Sequence, residues 1–220
     1  MADEILAEET LAGEIIDAAR ALAPNGLGVG ASGNVSVRSG EGFLITPSGV
    51  AYDALSPDML VKVMPDGTAE GALKPSSEWR FHLDIYADRA DAHAIVHCHS
   101  PYATAIACLQ KSIPAFHYMV AVAGGADICC AGYATFGTQA LSDAVVSALD
   151  GRRACLMANH GQIAIGKDVA GALALAQEVE ELAKQYAIAL QAGEPMILSL
   201  EEMAVVIEKF KTYGKQTETP

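Results

Sequence analysis

The sequence predicts an α/β fold, a three-layer α/β/α sandwich in which helices cover both faces of a mixed, mainly antiparallel sheet. Short apolar, strand-like runs are interspersed with helical patterns along the chain, an order typical of a sheet covered by helices. A Gly-containing connection at 39–42 suits an antiparallel hairpin. The chain of 220 residues is 51% hydrophobic, which favours one core and one domain over residues 1–220.

The individual elements follow from periodicity and from turn residues. Apolar residues at helical spacing predict a helix over 3–23, which Pro24 and Gly26 end. Strands are predicted at 34–38, 43–46, 59–63, 94–99, 115–122, 154–157 and 162–165. Further helices are predicted at 77–87, 101–109, 138–149, from a cap at Asp168 to 191, and at 199–211.

The charge and the hydropathy pattern argue against several kinds of partner. A net charge of -13 disfavours nucleic acid and anionic membrane surfaces. No run of eighteen or more apolar residues predicts a membrane span. The beginning MADEILAEE lacks the features of a signal peptide, so the cytoplasm is the expected location. An anionic substrate must then be bound locally, by backbone amides or by a metal.

Three histidines follow apolar strands and suggest a metal centre. His97 and His99 flank Cys98, and alternation along a strand points both imidazoles to one face. Taken alone, this pair fits a metal site and a polar strand edge equally well. His160 follows another predicted strand, and a third imidazole favours a catalytic zinc with an open position.

Glu78 is the candidate acid/base. It follows Ser76 and Ser77, either of which can cap a helix that has Glu78 in its first turn. Complementarity with the helix dipole is the simpler interpretation of such a glutamate. No capping box needs it, however, since no Glu or Gln lies three residues after either serine. Glu78 and His82 form an alternative metal pair, which we rank below the histidine pair.

Three turns are rich in hydrogen-bond donors that suit an anion. They comprise residues 30–34 (GASGN), 46–49 (TPSG) and the serines at 76–77. Each is weak evidence alone, because tight turns and helix starts have the same composition. Together they fit a phosphate held by amides and hydroxyl groups without a basic cluster.

These residues resemble the class II aldolase/adducin family over nearly the whole chain. The family motifs are 32–36 (SGNVS), 45–49 (ITPSG), 97–99 (HCH) and 159–161 (NHG). The branch that acts on L-fuculose 1-phosphate is most similar, through 75–82 (PSSEWRFH), 113–119 (IPAFHYM), 133–137 (YATFG) and 208–214 (EKFKTYG). The resemblance implies a metal-dependent aldolase that reversibly cleaves a ketose 1-phosphate to dihydroxyacetone phosphate and an aldehyde.

The resemblance also implies roles for individual residues. It implies one Zn²⁺ per subunit on His97, His99 and His160, with Glu78 as the catalytic acid/base. The residues implied to hold the substrate phosphate are Gly33, Asn34, Ser48, Gly49, Ser76 and Ser77. It further implies a homotetramer with active sites between subunits. Tyr118 of a neighbouring subunit would protonate the aldehyde oxygen, and Phe210 and Tyr213 of the tail would close over the aldehyde.

The aldehyde half and the reaction have alternatives. The segment 100–104 (SPYAT) differs from the histidine-richer stretch of the enzymes on L-fuculose 1-phosphate, so ribulose, 5-deoxyribulose and 5-methylthioribulose 1-phosphates remain candidate substrates. A pentulose-phosphate 4-epimerase uses the same bond cleavage on this scaffold. A non-catalytic, adducin-like binding module is the other alternative, and the presence of three histidines and Glu78 argues against it.

Overall fold

An eight-stranded sheet organises the computed structural model, which describes residues 2–212. The strands are β1 (Asn34–Ser39), β2 (Gly42–Ile45), β3 (Val61–Val63), β4 (Ala69–Glu70), β5 (Ala94–Cys98), β6 (Cys130–Ala131), β7 (Ala154–Met157) and β8 (Gly161–Gly166). Their order across the sheet is β4-β3-β2-β1-β5-β8-β7-β6. Only β6 and β7 pair in parallel, so the predicted mixed, mainly antiparallel sheet is confirmed.

Helices cover both faces of this sheet. They are α1 (Ala2–Leu22), α2 (Trp79–Asp88), α3 (Pro101–Cys108), α4 (Gln139–Ala148), α5 (Val169–Ala192) and α6 (Leu200–Phe210), with 3₁₀ turns at Tyr52–Ala54, Pro57–Met59 and Tyr118–Ala123. Successive side chains of strand β5 point to opposite faces of the sheet and pack into two different hydrophobic clusters. Val96 and Cys98 pack with α1, α3 and α5, whereas Ile95 packs with α2 and α4. The predicted three layers are therefore confirmed.

One predicted strand, at 115–122, is wrong. The chain forms the 3₁₀ helix Tyr118–Ala123 there. The ring Nδ1 of His117 accepts a hydrogen bond from the backbone N–H of Met119, which starts this turn. Ile113 already pairs with Ile128 in an isolated bridge, and Gly124 ends the turn at φ 95°. The apolar residues of this segment are buried as a 3₁₀ helix and do not add a strand to the sheet.

Two further differences concern short or terminal features. Strands β4 and β6, at the two edges of the sheet, have two residues each, too few for a periodic pattern. Helix α2 begins at Trp79, with Glu78 in the N-cap position and no side-chain cap. Ser76 Oγ accepts from the Glu78 N–H at 3.3 Å. Glu78 therefore precedes the first helical turn and does not lie within it.

Among residues 2–212, no helix is long and apolar enough to cross a membrane.

Candidate active site and metal centre

His97 is held rigidly at the end of β5. It is fully buried and pairs across the sheet with Asn34 on β1 and Ile163 on β8. Its Nδ1–H donates to the Gln162 carbonyl at 2.8 Å, since a carbonyl can only accept. This bond uses Nδ1, so Nε2 is the nitrogen of His97 that can bind a cation, the arrangement usual for histidine ligands.

Two turns approach the backbone of β5 closely, and the second of them carries His160. Gly33 has φ 102°, and a Cβ there would lie 2.5 Å from the His97 carbonyl oxygen. A Cβ on Gly161 would lie 2.5 Å from the Cys98 carbonyl oxygen. The turn between β7 and β8 can therefore approach β5 closely. The ring centroids of His97, His99 and His160 lie 4.9 Å apart in all three pairs.

Glu78 contacts this triangle of rings. Its carboxylate oxygens lie 2.9 Å from His160 Nε2 and 3.2 Å from His97 Nε2. Burial raises the pKa of Glu78, but the imidazoles of His97 and His160 lower it by more, so its pKa falls well below the usual range. Asn34 Nδ2 donates to the same carboxylate at 2.9 Å. The side chain is thus an ionised carboxylate at the edge of the histidine triangle.

The donor set fits a divalent metal. The ligand atoms of Glu78, His97, His99 and His160 all lie within 4.8 Å of one another. Ligating imidazoles must be neutral. Burial, followed by the neighbouring imidazoles, lowers the pKa of His99 to about 4. Burial also lowers the pKa of His97, but Glu78 raises it by more. Three imidazoles with converging nitrogens form a catalytic type of site. His82 is not part of this cluster, since its ring nitrogens contact Asn34 and Ser36.

A cavity of about 380 Å³ opens beside the cluster. The residues that line it include the cluster members Glu78, His99 and His160 and the predicted phosphate residues Gly33, Ser48, Gly49, Ser76 and Ser77. Two backbone hydrogen bonds join the turn at 46–49 to the segment 74–76. Ser48 N–H donates to the Lys74 carbonyl, and Ser76 N–H donates to the Thr46 carbonyl. No lysine or arginine is among the described residues that line this cavity.

Asn34 lies behind this cavity rather than in its lining. It is buried, and its Nδ2 donates to Ser76 Oγ at 3.0 Å as well as to Glu78. Both amide hydrogens are therefore committed within the protein. Ser76 Oγ accepts from Asn34 and from the Glu78 N–H, so its own hydroxyl hydrogen remains available to donate to a ligand.

One loop that lines the cavity was given no role from the sequence. Tyr133, Ala134 and Phe136 lie there, and the two aromatic side chains are largely exposed. A Cβ on Gly137 would lie 2.9 Å from the Ser77 carbonyl oxygen, so the loop packs closely on the serine pair. The motif at 133–137 was the sequence feature that could have indicated a role for this loop. Exposed aromatic residues beside a cavity rich in hydrogen-bond donors are suited to contact a substrate.

Tyr118 and Phe210 lie elsewhere within one chain. Both line a second, largely apolar cavity of about 610 Å³ between the 3₁₀ helix Tyr118–Ala123 and α6. Neither lines the cavity beside the histidines. Tyr213, the other predicted tail residue, lies outside the described residues.

Comparison with known proteins identifies the class. The family model "Class II Aldolase and Adducin N-terminal domain" matches residues 13–187, and the chain belongs to this family. Its relatives include a 5-methylthioribulose-1-phosphate/5-deoxyribulose-1-phosphate aldolase of Rhodospirillum rubrum, 54% identical over 94% of this chain and 93% of the relative. An L-fuculose phosphate aldolase of Escherichia coli is 49% identical over 94% and 97%.

A solved structure agrees with these sequence relatives. An L-fuculose 1-phosphate aldolase superposes with a TM-score of 0.89 at 42% identity, covering 92% of this chain and 96% of that chain. The chain is therefore an enzyme of the class II aldolase type. This family is metal-dependent, and the Glu78–histidine cluster is a site that can bind the metal.

Proposed function

We propose that this enzyme is a zinc-dependent aldolase that reversibly cleaves a ketose 1-phosphate to dihydroxyacetone phosphate and an aldehyde. The observation that supports this proposal most directly is the contact between the Glu78 carboxylate and the imidazoles of His97 and His160. Glu78 and His160 line a cavity whose other lining includes hydroxyl groups, glycine turns and two aromatic rings. This arrangement places a base and a cation site next to a group of residues that suits an anion. We call this group, Gly33, Ser48, Gly49, Ser76 and Ser77, the anion cradle. The relatives named for such substrates support it.

One zinc per subunit would be held by His97, His99 and His160. Bound there, it would act as a Lewis acid that stabilises negative charge developing on substrate oxygen. Glu78 would return a proton to the substrate carbon freed by cleavage, and would remove it in the reverse direction. Its ionised state in this structure suits the second role.

The phosphate would lie in the cradle formed by Gly33, Ser48, Gly49, Ser76 and Ser77. The free hydroxyl hydrogen of Ser76 points to this role, because both acceptor positions of its oxygen are used within the protein. Asn34 was expected to bind the phosphate directly. Both amide hydrogens of Asn34 are donated to groups within the protein. This favours an indirect contribution, in which Asn34 orients Ser76.

The aldehyde half decides which ketose 1-phosphate is used. L-Fuculose 1-phosphate is the substrate type we propose first, and 5-methylthioribulose and 5-deoxyribulose 1-phosphates are the alternatives that the Rhodospirillum rubrum relative supports. The aromatic rings of Tyr133 and Phe136 at the cavity suit the apolar end that all three aldehydes carry. Ribulose 1-phosphate, which ends in a hydroxyl group, fits this apolar contact less well.

A product assay with a panel of ketose 1-phosphates tests the proposed reaction. We expect one of the three sugars above to yield dihydroxyacetone phosphate in a one-to-one ratio with the sugar consumed. A pentulose 5-phosphate should be included, because an epimerase would convert it to its C4 epimer without releasing a fragment. Epimer formation, or no triose phosphate from any sugar, would refute the aldolase proposal.

We also propose a homotetramer with active sites between subunits. Tyr118 and Phe210 line an apolar cavity apart from the histidine cluster, so within one chain they do not contact the substrate cavity. Both would contribute only to the site of a neighbouring subunit, together with Tyr213.

Sedimentation combined with an activity assay at the same concentration tests this assembly. The wild type should sediment as a tetramer, and Tyr118→Phe should remain a tetramer while losing roughly 10²–10⁴-fold in turnover, as expected on removal of a general acid. A fully active monomer would contradict the proposal.

A further inference from the structure

A line of buried polar side chains runs from Glu78 into the core between β1 and α2. Asn34 Nδ2 lies 2.9 Å from Glu78 Oε2, and Asn34 Oδ1 lies 2.5 Å from His82 Nε2. His82 Nδ1 lies 2.7 Å from Ser36 Oγ, which lies 2.8 Å from the Tyr86 hydroxyl. All five residues are buried. His82 was expected only as part of an alternative metal pair, and neither the candidate metal centre nor the anion cradle uses it.

The contacts of the Asn34 amide set the direction of the first two bonds. Its nitrogen faces two oxygens, Glu78 Oε2 at 2.9 Å and Ser76 Oγ at 3.0 Å, and an amide nitrogen can only donate. The other end of that amide, Oδ1, faces His82 and can only accept. His82 must therefore carry its hydrogen on Nε2.

The tautomer of His82 sets the direction of the remaining hydrogen bonds. Burial lowers the pKa of His82 to about 3, so the imidazole is neutral. With its hydrogen on Nε2, its lone pair is on Nδ1. That lone pair accepts the Ser36 hydroxyl hydrogen. Ser36 Oγ in turn accepts from the hydroxyl of Tyr86. Every donor in the line thus points towards Glu78, from Tyr86 through Ser36, His82 and Asn34.

We propose that His82 is a positioning residue that holds the Asn34 amide with its N–H groups towards Glu78 and Ser76. The inference rests on the proposed function in one respect, the role of Glu78 as acid/base. With the amide reversed, the Asn34 oxygen would face the carboxylate and the nitrogen would face the His82 N–H. Both contacts would then be repulsive while His82 keeps its hydrogen on Nε2. One imidazole therefore fixes both the acid/base group and a hydroxyl of the anion cradle.

Two substitutions at His82 separate positioning from simple packing. His82→Leu keeps a similar volume and removes the donor, whereas His82→Gln places an amide N–H where imidazole Nε2–H lies. Exchange of a dihydroxyacetone phosphate C3 hydrogen with solvent measures the Glu78 step without an aldehyde. We expect His82→Leu to slow exchange roughly 10–100-fold, the range found for residues that orient the ligands of a metal site. His82→Gln should recover most of the rate.

Tyr86→Phe is the matched control, since it removes a hydroxyl from the far end of the line and leaves the His82–Asn34 bond intact. Its exchange rate should stay near that of the wild type. Equal losses in His82→Gln and His82→Leu, or a wild-type rate in His82→Leu, would overturn the positioning role.

Neutron diffraction from deuterated wild-type crystals gives a readout independent of activity. We expect deuterium on His82 Nε2, none on Nδ1, and the ND₂ group of Asn34 facing Glu78. Deuterium on Nδ1 would overturn the inference whatever the exchange assay shows. A wild type that catalyses no exchange while showing the expected deuterium positions would refute the role of Glu78 and leave the orientation of Asn34 established.

Discussion

His160→Ala is expected to reduce turnover below detection and to remove the bound zinc, while the fold is retained. A catalytic zinc is usually held by three protein ligands, and two imidazoles would not keep it at ordinary free-metal concentrations. The His160 side chain is 13% exposed and lies in the turn between β7 and β8, so its truncation should be tolerated. His97→Ala should have the same effect on metal and turnover, with a larger loss of stability because His97 is fully buried.

Metal analysis and circular dichroism of the purified variants measure these effects. His93→Ala is a suitable control, because His93 lies just before the same strand β5 and is exposed at the surface. It should keep about one zinc per chain and full turnover. Wild-type protein that stays active after exhaustive chelation, with no divalent metal detected, would rule out the metal centre.

Glu78→Gln is expected to slow both cleavage and exchange of the dihydroxyacetone phosphate C3 hydrogen by roughly 10²–10⁴-fold, the usual contribution of general acid–base catalysis. The amide keeps the size of the side chain and loses the base. Zinc content should stay near the wild-type value, since three imidazoles remain. Helix α2 should also persist, because the Glu78 side chain makes no cap hydrogen bond.

Glu70→Gln provides the control for removal of one negative charge, since Glu70 is exposed on the edge strand β4. It should leave exchange unchanged. Exchange at the wild-type rate in Glu78→Gln would assign the base to another group. Loss of zinc would instead make Glu78 a ligand, a result compatible with its contacts to His97 and His160 but contrary to the proposed division of roles.

Part of the histidine cluster was accessible from the sequence because the relation between His97 and His99 is local. Alternation along one strand places His97 and His99 together, and His160 follows a recognisable apolar strand. The central strands were predicted for the same reason, since each has a run of four or more residues. Strands β4 and β6, with two residues each, exist only because a neighbouring strand supplies their hydrogen bonds.

The contacts that orient the site were not accessible in this way. Asn34 and Glu78 lie 44 positions apart, and nothing in the SGNVS motif distinguishes an amide that points into the core from one that points to a ligand. The serines were expected to cap α2, yet Glu78 takes the N-cap position. Such assignments depend on which side chains the fold brings together, and local pattern carries no information about that.

The absence of lysine and arginine from the described lining of the anion cradle affects how a substrate arrives. The chain carries a net charge of -13, so a phosphorylated sugar approaches against long-range repulsion and is attracted only at short distance. Dissolved salt weakens the long-range part, which acts over about a Debye length of ~10 Å at 0.1 M, far more than it weakens buried contacts. Substrate capture by this enzyme should therefore become faster as ionic strength rises, the reverse of capture by a site built from basic side chains.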